Sequence, residues 1–133
     1  MEPLIKAQWL ERLRSGTIEQ GKQYLRCGEA RCCLGVLCDL AVEAGVIPVP
    51  FHNTTDDTYC YGAAPTTERV ADRASEEIHG SYRSLPVAVQ KWAGFNDSVP
   101  PYRDNRYYRN LADDNDNRGM NFNEIADTIE WEF

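Results

Sequence analysis

The sequence predicts an α+β fold, a mostly helical single domain carrying a small β-hairpin or sheet. Three observations carry that expectation. Four segments place apolar residues at helical spacing. One stretch, from Tyr24 to Cys33, sets apolar residues on both sides of the turn "CGEA". The length, 133 residues, suits one domain with a sizeable core, and no repeat, linker or low-complexity tract divides it.

The elements follow in order. Pro3 suits a first helical turn, Leu4, Ile5, Trp9, Leu10 and Leu13 fall on one face, and Gly16 is a natural stop. This predicts a helix over 3–15. The "CGEA" turn then predicts a short hairpin. In "CLGVLCDLAVEAG", Leu37, Leu40, Ala41 and Ala44 sit at i, i+3, i+4 and i+7, so 33–44 reads as a buried helix ending at Gly45. Residues 46–83 form a loop-rich, variable segment. Pro48 and Pro50 break any helix, and "TTERVADRASEEIHG" reads as either a short helix or a loop. In "SLPVAVQKWAGF", Ser84 is placed to cap, Pro86 sits early and Gly94 closes a helix. "NDSVPPYRDN" reads as a turn, and "RYYRNLADDNDNRG" as a helix that dissolves into a polar loop. The terminal "MNFNEIADTIEWEF" puts Phe122, Ile125, Ala126 and Ile129 on one helical face.

Net charge is −7, spread unevenly: +1 over residues 1–40, −3 over 41–103 and −5 over 104–133. An acidic chain repels phosphates, so direct nucleic-acid binding is disfavoured, whereas basic protein partners are suited. No apolar run is long enough to span a bilayer, and "MEPLIKAQWLERLRSG" does not resemble a secretory leader. The expected setting is cytoplasmic, where five cysteines, an odd number, read as reduced thiols.

Those cysteines raise three chemistries. Cys27, Cys32, Cys33 and Cys38 run C-x4-C-C-x4-C, which is not the doubled C-x(2–4)-C of structural zinc. Adjacent cysteines on a helix also point about 100° apart and rarely serve one ion. Cys32 or Cys33 at a helix start resembles an activated nucleophile. The histidine base it needs would have to be His52 or His79. The third reading treats reduced cysteine as a small apolar group packed inside, with Gly35 letting a neighbouring backbone approach. That core reading is preferred, and a small cysteine hydrolase remains the alternative.

"DDNDNRGMNFNE" overlays a calcium-binding loop at Asp113, Asn115, Asn117 and Glu124, with Met120 at position 8. The required glycine is displaced, because Arg118 stands at position 6 and Gly119 one place late. Read otherwise, it is a polar turn capping the last helix. No metal or cofactor is expected, and no phosphate-loop, dinucleotide, zinc-protease or serine-hydrolase motif is present. "PPYRDN" and "NRYYRN" cluster Tyr102, Arg103, Arg106, Tyr107, Tyr108 and Arg109. Aromatic faces and guanidinium groups together hold nucleotides, with Arg69, Arg73 and Arg83 as candidate helpers. The plainer reading is an amphipathic helix with its tyrosines turned inward.

Three blocks, "RSG…QG…L…CCLGVLCDLA", "LPVAVQKWAGF" and "LADDNDNRGMNFNEIADTIE", resemble a large group of small accessory proteins encoded by tailed bacteriophages and prophages. The order of parts is the same in that group. A Trp-bearing first helix and a double-cysteine helix precede a variable middle, an "LP…WAG" helix and an "ND…G…F…IAD.I" ending. The resemblance covers both ends of the chain and leaves out residues 46–83. It implies phage origin and the host cytoplasm, and transfers no catalytic residue. Small accessory genes of compact phage genomes often counter host defences. The expected function is therefore binding, either of a host protein or of a signalling nucleotide held by Arg103, Arg106, Tyr107, Tyr108 and Arg109. Homo-oligomerisation is left open, and no membrane partner is expected.

Overall fold

In the computed structural model, which describes residues 1–62 and 80–133, the chain opens with helix α1 (Pro3–Arg14). The Glu2 carboxylate caps it, accepting from the N–H groups of Leu4 at 3.3 Å and Ile5 at 3.0 Å. Ile5, Trp9 and Leu13 recur a turn apart and face the core, while Leu4 is exposed. Strands β1 (Arg26–Cys27) and β2 (Ala30–Arg31) form the expected hairpin, with Gly28 in the left-handed region that its turn needs.

Helix α2 (Cys33–Glu43) runs through the interior, with Cys33 to Cys38 continuously buried. Its first turns are apolar all round and packed on every side, while Asp39, Val42 and Glu43 mark a partly exposed face further along. Gly35 is indispensable here: a Cβ at that position would lie 1.8 Å from the Leu25 carbonyl oxygen. The segment 46–83, expected to be loop-rich with extended pieces and turns, holds two short strands among its described residues. Strands β3 (Phe51–Asn53) and β4 (Thr58–Cys60) pair with each other. They extend the first hairpin into a four-stranded antiparallel sheet of order β2-β1-β4-β3. "TTERVADRASEEIHG" lies almost entirely outside the described residues.

Helix α3 (Val87–Ala93) ends at Gly94, which adopts φ +81°. Ser84 does not cap it. The chain enters through Pro86, and the Ser84 hydroxyl instead shares a hydrogen bond of 3.1 Å with Ser81. Residues 101–110 overturn the expected turn and helix start. They form a two-stranded hairpin, β5 (Pro101–Asp104) and β6 (Tyr107–Asn110). The helix comes after it, as α4 (Leu111–Asp116), with the Asn110 side chain accepting from the Asp113 N–H at 2.8 Å. Helix α5 (Phe122–Glu132) begins with a capping box between Asn121 and Glu124. It buries Phe122, Ile125, Ala126 and Ile129. With six strands beside five helices, helix covers less than half of the described residues. The described residues make a small α+β domain.

One buried polar hub joins these parts. Asn115 is fully buried. Its Oδ1 accepts from Gln20 Nε2 at 2.9 Å and from the Cys33 N–H at 3.2 Å. Its Nδ2 donates to the Gly21 carbonyl at 2.8 Å. The first N–H of α2 is thus satisfied by a residue 82 positions away, which replaces the cap that Cys32 does not supply.

Candidate functional site

The hairpin β5–β6 brings the predicted Tyr/Arg cluster together on one projecting element. Its register pairs Tyr102 with Arg109, Arg103 with Tyr108 and Asp104 with Tyr107. Cross-strand partners share a face, so arginine and aromatic side chains meet on both. The Arg103 guanidinium lies 6.0 Å from the Tyr108 ring centre, and that of Arg109 5.6 Å from Tyr107. Arg109 also donates to Asp104 at 3.2 Å. Arg106 sits in the two-residue turn behind Asn105, which accepts φ +53°. Tyr107 is 66% exposed and Tyr108 83%, so the expectation of inward-packed tyrosines on a helix does not hold.

The root of the hairpin is fixed to the core. The Tyr102 hydroxyl donates to the carboxylate of Asp114, which is fully buried. Arg118 donates to the other Asp114 oxygen at 2.7 Å. Burial, then the bond to Asp114, pushes the Tyr102 phenol up to about 12. Asp114 thus holds the neutral Tyr102 phenol and the Arg118 guanidinium together at the base of the hairpin. Arg83 does not join this group. It donates to the Tyr24 hydroxyl at 3.0 Å and lies over that ring. Arg69 and Arg73 lie outside the described residues.

The cysteines occupy the expected helix start, with Cys32 at the cap position and Cys33 as first helical residue. Both are buried there. Burial lifts the Cys32 thiol to about 11 and the Cys33 thiol well above its ordinary value. Desolvation therefore outweighs the helix dipole, and neither sulfur is held as a thiolate near neutral pH. The Cys33 thiol donates instead to the Leu111 carbonyl at 3.5 Å. His52 is engaged elsewhere: its Nε2 is 2.6 Å from Asp57 Oδ1, and its ring stacks on Tyr59. His79 lies outside the described residues.

The calcium-loop overlay is corrected as well. Asp113 and Asn115 lie within helix α4, where Asp113 accepts from Asn117 Nδ2 at 2.6 Å. Asn115 is the interior hub, and Glu124 closes the capping box of α5. Asp113 and Asn117 thus bond to each other, while Asn115 and Glu124 are engaged elsewhere. Among the described residues no group of three or more His, Cys, Asp or Glu side chains is placed to hold a metal.

Sequence reasoning missed a second surface. Arg31, Arg26, Tyr59 and His52 form a row across one face of the four-stranded sheet, with the Arg26 guanidinium 3.8 Å above the Tyr59 ring. The strands are too short for their alternation to be read from the chain. It also missed Trp131, on the last turn of α5 and 88% exposed, although at 100° per residue that position falls opposite the face of Phe122, Ile125, Ala126 and Ile129.

The fold and the site define a small α+β domain with a projecting aromatic-cationic hairpin. The chain belongs to the family described as Domain of unknown function (DUF8296), which matches residues 1–133. No curated protein and no solved structure matches it. Among the described residues no helix is long and apolar enough to cross a membrane.

Proposed function

We propose that this protein is a phage accessory protein that acts in the cytoplasm of the infected cell by binding a host defence or regulatory protein through hairpin β5–β6. The observation that carries the reading is the exposure of Tyr107 and Tyr108 beside Arg103, Arg106 and Arg109. Tyrosine and arginine dominate the energetics of protein interfaces. Two large aromatic rings left in water on a rooted hairpin stand ready to be buried. A partner protein is favoured over a signalling nucleotide because the hairpin projects, whereas small ligands are held in concave sites. Arg109 is also already engaged by Asp104.

The test is capture from infected-cell lysate, with mass spectrometry of both proteins and released small molecules. A host protein should accompany the native chain and be lost with Tyr107→Ala/Tyr108→Ala. It should be retained with Val49→Ala, an exposed residue of the 46–62 segment. Capture indifferent to the hairpin, or recovery of a nucleotide alone, would overturn the reading.

A further inference from the structure

Beside the root of the hairpin, β5 and helix α5 enclose a cleft of about 310 Å³. Its walls are aromatic and thioether groups from Tyr102, Trp131 and Met120, and its rim carries the carboxylates of Asp104, Asp127 and Glu132. Arg109 and Arg14 each engage one oxygen, of Asp104 and Asp127 respectively. The Glu132 carboxylate has no hydrogen bond or ion pair among the described residues. The guanidinium that lines the cleft, Arg118, is paired with the buried Asp114. What remains is a negative opening beside an indole that is 88% exposed. An anion would meet the Glu132 carboxylate there, with Asp104 and Asp127 each keeping one oxygen outside its ion pair. A metal ion would find no group of three ligands close enough, among the described residues. An organic cation meets both things it needs, a ring face and a carboxylate.

We propose that this cleft seats an arginine or lysine side chain of the partner protein that the hairpin contacts. The proposal rests on the hairpin reading and adds the chemistry of the partner: a basic residue set beside the surface that covers Tyr107 and Tyr108. The cation lies against the Trp131 ring and pairs with Glu132, while Asp127 closes the other side. The −7 charge of the chain draws such a surface in over a distance of about a Debye length.

The cleft can be tested without the natural partner. A fluorescein-labelled hexa-arginine peptide is titrated at low ionic strength and followed by anisotropy. Trp131→Ala should weaken binding about two- to fivefold, the range of a cation–π contact at an exposed site. Glu132→Gln should weaken it similarly. Glu29→Gln, the same charge change on the exposed β1–β2 turn, should stay within about twofold of the native chain, since diffuse charge alone is screened. Equal losses for Glu29→Gln and Glu132→Gln, or no loss for Trp131→Ala, would overturn the proposal. So would spermidine competing as well as the peptide, which would make the occupant a free polyamine. Tyr107→Ala/Tyr108→Ala should leave the peptide affinity unchanged. Failure of the cleft and failure of the hairpin reading therefore read out separately.

Discussion

Replacing Gly35 by alanine sets two effects of opposite sign against each other. Alanine is the better helix former by about 1 kcal/mol, and a view limited to helix propensity predicts stabilisation. The structure predicts the reverse. The new Cβ would lie 1.8 Å from the Leu25 carbonyl oxygen and 2.7 Å from its carbon, where Cβ atoms essentially never come within 3.0 Å. The groups in the way are backbone, so no side chain can rotate aside. Helix α2 and Leu25 must part by at least about 1.2 Å, the gap between 1.8 and 3.0 Å. That movement stretches the Cys32 N–H bond to the Leu25 carbonyl, now 3.3 Å, and the Cys33 N–H bond to Asn115, now 3.2 Å. A buried donor left without its partner costs about 1–3 kcal/mol, and overpacking of this kind costs about 1–3 kcal/mol. After the propensity gain the net loss is about 3 kcal/mol, a large share of a typical domain's stability. Urea unfolding followed by circular dichroism measures it, and the melting temperature should fall by about 10 °C. Gly45→Ala is the control. It has open space around its Cβ position but φ +74°, so it should lose only the left-handed strain of about 1–2 kcal/mol. A Gly35→Ala chain as stable as the native one would refute the close-approach argument.

Other outcomes follow from the same geometry. Asn115→Ala removes the acceptor of the Cys33 N–H and of Gln20, and the donor to Gly21; urea unfolding should show a loss of about 3 kcal/mol. Stability should fall at alkaline pH. The Cys32 thiol, raised to about 11 by burial, keeps its proton in the folded chain while the unfolded chain ionises near its ordinary value. Its contribution is therefore complete below about pH 8.5 and lost as pH rises through 11, and pH-dependent melts should slope downward there. Tyr102, raised to about 12, extends that slope above pH 10. Native-state alkylation with iodoacetamide should modify the exposed Cys27 first, while Cys32, Cys33 and Cys38 react only after unfolding; peptide mapping reads the order. Tyr107→Ala/Tyr108→Ala should change stability by less than about 0.5 kcal/mol, because both rings lie in water.

What could be read from the chain depended on whether a residue's role is local. Helices α1, α2, α3 and α5 carry their signals within one or two turns: Pro3, the i, i+3, i+4 spacing of Leu37, Leu40 and Ala41, Gly94, and the Asn121–Glu124 box. The stretch 101–110 failed because Tyr107, Tyr108 and the arginines suit a helix face and a strand equally. The deciding signal was Asn105, a residue that accepts the left-handed conformation of a tight turn, set between two Tyr-Arg dipeptides, with prolines fixing the entry. The cysteine pair was ambiguous for a different reason. A helix start lowers a thiol pKa and burial raises it, and how deeply Cys32 and Cys33 are buried depends on Leu25, Leu111 and Asn115, residues remote from them in sequence. The candidate site was legible as a composition, Tyr and Arg together, but not as a shape.

The same distinction bears on what the recognisable blocks of this sequence can say. Gln20 and Gly21 of the first block, Cys33 of the double-cysteine stretch and Asn115 of the last meet in a single buried network. Ala93 of the middle block accepts from the Glu2 N–H at 2.9 Å and holds α3 against the start of α1. These residues sit where the interior admits few substitutes for them. A resemblance carried by them concerns the scaffold, and one scaffold serves many partners. The exposed rings of Tyr107, Tyr108 and Trp131 contribute nothing to that network. The residues that hold the interior together and those that would select a partner therefore differ. A relative with the same interior and a different hairpin tip should fold alike and bind something else.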